Sequence, residues 1–142
     1  VQALIGIGAR KFIVLNVPDI GRTPQMLEVD LQSPGTSTQA TALTQYFNAT
    51  VATQLAALAA PGVSITTVDV YAIFASVLAR AVEFGYTDTT RACYVIDSLS
   101  FNAFCNATLI DTFFFFDKIH PSGRTHRLIG EEIVRQIGAQ LR

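Results

Sequence analysis

The chain has 142 residues, 10 Lys and Arg against 11 Asp and Glu, a formal net charge of −1, and 50% hydrophobic residues. Its length suits one compact domain. Without a basic block it lacks the clustered Lys and Arg that nucleic acid or an anionic membrane surface calls for, and no apolar run nears the roughly 20 residues of a transmembrane helix.

Mean hydropathy is +0.38, high for a soluble domain of this size. It fits a heavily buried α/β sheet, or a fragment whose apolar faces are covered by a missing piece. Val1-Gln2-Ala3-Leu4-Ile5 reads as the last turn of a helix already under way, without initiator Met or signal-peptide layout. The expectation is a chain that starts inside a larger gene product.

Lys11 to Val17 is a continuous apolar run that suits a parallel strand buried on both faces. Pro18 to Pro24 follows as a loop at its C-terminal end, where doubly wound sheets bind ligands. Leu43, Tyr46, Phe47, Val51, Leu55 and Leu58 repeat at spacings of three and four, predicting a helix over Thr38 to Ala60 with one buried stripe. Pro61-Gly62 stops it, and β-branched Val63 to Val68 reads as a short strand. Asp69 can cap the next helix, whose apolar set is Val70, Ile73, Phe74, Val77, Leu78, Ala81 and Val82. Gly85 ends it.

Tyr86 to Thr112 is the least regular stretch, a long connection of the kind that carries function. Within it Cys93 and Cys105 are either a bridge closing a loop of about a dozen residues or two buried thiols. Thr112 to Phe116 is a short buried strand. Pro121 opens a last helix, with Ile129, Ile133, Val134, Ile137 and Leu141 on its buried face. The order strand, helix, strand, helix, strand, helix predicts a parallel α/β sheet covered by helices.

One constellation carries chemistry. Asp117 and His120 stand three apart, between a strand end and a helix. A carboxylate there can accept from one ring nitrogen, fix the tautomer and leave the other nitrogen as a base. The plain alternative is a surface turn capping the last helix. No metal-ligand cluster or cofactor motif is present.

Asp117-Lys118-Ile119-His120-Pro121 resembles the last block of SGNH (GDSL-type) hydrolases, an Asp-x-x-His-Pro element that supplies two triad members. Gly8-Ala9-Arg10 with the strand and Pro-rich loop to Pro24 is similar to that family's Gly-Ala-Arg strand. Val68-Asp69-Val70-Tyr71, leading to Phe84-Gly85-Tyr86-Thr87-Asp88, resembles its later helix and loop. Cys93 and Cys105 fall where many secreted relatives carry a cysteine pair, which implies a disulfide and an extracellular location. The resemblance spans nearly the whole chain. It implies a three-layer α/β/α, flavodoxin-like fold and hydrolysis of an ester or lipid by Ser, His and Asp, with His120 as base and Asp117 orienting it.

The blocks that supply the family's Ser, Gly and Asn lie upstream of its Gly-Ala-Arg strand and are missing here. Residues 1–142 therefore read as the C-terminal half of such a domain, with the N-terminal half, on another or unmatched segment, as its partner. One internal substitute is Tyr94-Val95-Ile96-Asp97-Ser98-Leu99-Ser100, which resembles the family's Gly-Asp-Ser-Leu-Ser block with Ile96 for Gly. It reads more simply as a chance match in a Ser-rich turn. His126 reads as a surface residue, and Asp19, on a strand-end loop, either as a residue bordering the active site or as a plain Asx turn. Asn48-Ala49-Thr50 and Asn106-Ala107-Thr108 match the glycosylation sequon, the first inside a predicted helix. The rival reading of the chain is an inactive module that pairs with itself as a homodimer over an exposed sheet edge.

Overall fold

A computed structural model describes residues 1–140. A short helix α1 (Gln2–Gly6) leads into strand β1 (Lys11–Leu15). A 3-10 turn (Ile20–Arg22) and helices α2 (Pro24–Gln32) and α3 (Thr36–Ala56) return the chain to strand β2 (Ser64–Val68), parallel to β1 from Lys11↔Ser64 to Leu15↔Val68. Helix α4 (Val70–Ala79) follows, capped by the Asp69 carboxylate, which accepts from the Ala72 amide at 3.0 Å. Strand β3 (Asp88–Ala92) then pairs in parallel with β6 (Phe113–Phe115). Between them sits a small antiparallel hairpin of β4 (Tyr94–Val95) and β5 (Ser100–Phe101). Helix α5 (Gly123–Gln140) closes the described chain.

The α/β class and the parallel pairing are as expected; the strands hydrogen-bond as two parallel pairs beside the antiparallel β4–β5 pair. The core lies where α4 and α5 meet β2 and β6. Phe74 meets Phe114 edge-on at 5.1 Å, and Val68, Ile73, Val77, Phe115 and Ile129 surround them. An edge-to-face ring pair aligns the positive rim of one ring with the negative face of the other.

Three burial expectations fail in part. β1 is not buried on both faces: Ile13 is 54% and Leu15 48% exposed on one face, while Phe12 and Val14 are half-buried on the other. The apolar stripe of α3 is an inner face only toward its C-terminal end, where Val51 and Leu55 are half-buried. Leu43, Tyr46 and Phe47 are exposed, and Thr44 is the buried residue. Hydrogen bonds set the helix rotation instead: Thr41 Oγ1 donates to Asp19 at 2.8 Å, and Asn48 clasps Val17 through both its amide and carbonyl. Val82 and Val134 are exposed too, Val82 because α4 stops at Ala79 and the chain turns. Leu141 lies outside the described residues.

The stretch from Tyr86 onward is more regular than expected. β3 escapes hydrophobic patterning because Asp-Thr-Thr-Arg-Ala is polar. It is held by pairing with β6, and Asp88 accepts from the amides of Thr90 and Arg91. Helix α2 was hidden behind the expected loop; the Thr23 hydroxyl caps it and Pro24 starts it.

Candidate active site

Asp117 and His120 are joined on the tight loop between β6 and α5. Asp117 is 4% exposed. Its Oδ1 accepts from the amides of Ile119 (2.8 Å) and His120 (2.7 Å), and its Oδ2 lies 2.8 Å from His120 Nδ1. Burial pushes the Asp117 carboxyl up, but the His120 and Ile119 amides and the His120 ring outweigh it and hold it below the usual value. An ionised carboxylate only accepts, so Nδ1 carries the proton and Nε2 of a neutral ring keeps a free lone pair. The imidazole is open: the His120 side chain is 67% exposed.

The loop is set by its backbone. The Phe116 amide donates to His120 O at 2.9 Å, and the Ser122 amide to Phe114 O at 2.8 Å. Beneath it runs a buried hydroxyl chain that the sequence reading missed. Thr125 Oγ1 donates to Phe114 O at 2.8 Å, so it accepts from Tyr86 Oη (2.8 Å) and Ser122 Oγ (3.1 Å). Ser122 and Thr125 are fully buried. Ser122, one residue before α5, was a legible N-cap; its link to Tyr86 was not. On the other side the Gln25 amide donates to Lys118 O at 3.0 Å, and Lys118 Nζ pairs with Glu28 at 2.6 Å. The first two turns of α2, which follows the loop after β1, therefore abut the loop after β6.

The sequence has counterparts among known proteins. The family description "GDSL-like Lipase/Acylhydrolase" matches residues 1–133. The chain belongs to this family. Its similar relatives include the anther-specific proline-rich protein APG of Brassica napus, 26% identical over 96% of this chain and 32% of that protein. A GDSL esterase/lipase of Arabidopsis thaliana is 26% identical over 96% of this chain and 41% of its own length. The thermolabile hemolysin of Vibrio parahaemolyticus is 26% identical over 94% and 34%. The GDSL-like chain thus spans about a third to two fifths of these relatives.

The remaining candidates of this GDSL-like chain are placed as follows. Cys93 and Cys105 are disulfide-bonded, which decides between the two readings of the pair. Asp19 is buried and accepts from Gly21 N (3.0 Å) and Thr41 Oγ1 (2.8 Å), an Asx turn that anchors α3. Ser98 is exposed; its hydroxyl contacts Ser100 Oγ (2.7 Å) and Val95 O (3.5 Å), neither an imidazole. His126 is exposed on α5. Both polar ends of the Asn48 side chain are engaged with Val17, whereas Asn106 is exposed in an Asx turn with Thr108. Among the described residues, no helix is long and apolar enough to cross a membrane.

Proposed function

We propose that this chain supplies the base and its orienting acid to a serine ester hydrolase acting on carboxylic or lipid esters. His120 Nε2 takes the proton of a serine hydroxyl contributed from outside these 142 residues. Asp117 stabilises the imidazolium that forms. The serine oxygen bonds to the ester carbonyl carbon, the C–O bond to the alcohol breaks as the proton passes to the departing alkoxide, and water repeats the sequence on the acyl-enzyme. The oxyanion donors come from the same outer segment, the N-terminal half of the hydrolase domain. The observation that carries this reading is the 2.8 Å Asp117–His120 contact on an open loop end, and the family's esterase and lipase members support the reaction class. The disulfide suits an oxidising compartment, so the same reading places the protein outside the cell.

Replacing His120 with Ala in the complete protein is expected to lower p-nitrophenyl ester turnover by about 10³-fold or more. Unchanged turnover would end the proposal.

The open outer edge of β1, with Ile13 and Leu15 exposed, favours a second reading for the chain by itself: self-association through that edge. Sedimentation velocity on the isolated chain reads this directly.

A further inference from the structure

The disulfide joins Cys93 to Cys105 and closes a small lobe built on the β4–β5 hairpin. Its base is rigid: the Asn102 amide donates to Cys93 O at 2.9 Å, the Asn102 side-chain amide to Ala92 O, and the Cys105 amide to Asn102 O at 3.1 Å. Its exposed surface sets large apolar side chains among Asp97, Ser98 and Ser100. Ile96 and Phe101 are exposed, Phe104 is 63% exposed and Leu99 75%. Leu99 also holds φ +51°, a left-handed conformation that Asn or Gly adopts at lower cost. A large apolar side chain is thus held in water at a strained position.

The lobe is continuous with the candidate active site. The Cys93 and Tyr94 amides donate to Phe115 O (3.2 Å) and Phe116 O (2.7 Å). Phe101, Tyr94 and Phe116 form an aromatic ladder with 5.4 Å between successive rings, and Phe116 precedes Asp117. On the far side of Asp117, Ile119 is exposed as well. Lys118, held above the usual lysine value by Glu28 first, also feels the Asp97 carboxylate of the lobe.

We propose that this lobe is a lipid-surface docking element, which seats Ile96, Leu99 and Phe104 in a zwitterionic phospholipid interface and turns the Asp117–His120 loop toward the esters there. The proposal rests on the ester-hydrolase reading of that loop. A folded protein seated on the lobe would lie against Ile119 and close off the imidazole, whereas a lipid surface brings ester carbonyls to it. Charge selects the surface. Asp97 is the lone charge between the cysteines, and Arg91, whose guanidinium lies 4.0 Å over the Phe104 ring, is matched by Asp88 at 2.5 Å. A near-neutral rim suits zwitterionic rather than anionic headgroups. The other exposed apolar residues, such as Leu43 and Phe47, lie on a regular helix face, a surface on which further secondary structure packs.

The test is co-sedimentation of the 142-residue chain with phosphatidylcholine vesicles, which needs no catalysis and so fails independently of the hydrolase reading. Wild type is expected to bind. Leu99→Asn relieves the backbone strain, so weaker binding in that variant is not a folding defect. Leu99→Asn with Phe104→Ser is expected to bind at least tenfold more weakly, and Leu43→Ser with Phe47→Ser on α3 as wild type does. In the complete protein the lobe variant should keep its turnover of soluble short-chain esters and lose turnover of vesicle-borne ones. Wild type that stays in the supernatant, a lobe variant that binds normally, or equal loss in the α3 variant would overturn the proposal.

Discussion

At the scale of the residue, the Asp117 carboxylate is the best-supplied acceptor near the candidate site, with two amides and a ring nitrogen on its two oxygens. Those donors favour the charged form, so its pKa in the folded chain is depressed. The sign follows from linkage. Its stabilisation is present above the unfolded value near 3.9, and is lost as pH falls through the lower folded value. Urea unfolding measured from pH 5 to pH 2 should show wild type losing stability in that window. Asp117→Asn should start less stable and lose less on acidification. A mutant with the same slope would place the acid sensitivity elsewhere. The Asp-x-x-His spacing was legible because the turn is local: the His120 amide and ring both reach the carboxylate three residues back.

At the scale of the element, the β6–α5 junction depends on one hydroxyl. Thr125 Oγ1 links the last helix to the Phe114 carbonyl and to Tyr86, which arrives from 39 residues away. Thr125→Val leaves Tyr86 Oη buried without that acceptor, a loss of about 1–3 kcal/mol. Thr125→Ser keeps the hydroxyl and should restore most of it. Chemical denaturation of the two variants checks this, and equal stability of Val and Ser would show the hydroxyl to be idle. Sequence reading found the elements whose apolar periodicity is their own, such as α4, where Val70, Ile73, Phe74 and Val77 are buried as predicted. It misplaced the inner face over the N-terminal half of α3, whose orientation is set by Asp19 and Val17 from another part of the chain. Gly21 belongs to the same junction: a Cβ there would fall 2.3 Å from Ser37 O, so only glycine lets the turn lie against α3.

At the scale of the whole molecule, uncovered apolar surface dominates. β1 offers Ile13 and Leu15 to solvent and its outer edge to any strand of matching direction. If the isolated chain self-associates through that edge, Ile13→Lys should return it to a monomer in sedimentation velocity, since an edge lysine opposes strand addition. Oligomers that survive the substitution would place the contact elsewhere. In the hydrolase reading the same surface receives the serine-bearing segment, so Ile13→Lys in the complete protein should weaken folding as well.

The sequence by itself determined the α/β class, the helix cap at Asp69 and the Asp117–His120 pair, because each follows from contacts within a few residues. The tertiary structure alone decided that β3 is a strand, that α3 turns Leu43 and Phe47 outward, that Tyr86 reaches Thr125, and that the disulfide-closed lobe stands beside the Asp–His loop. Those features depend on partners tens of residues apart, and local periodicity carries no record of which distant group will satisfy a polar atom or cover a face.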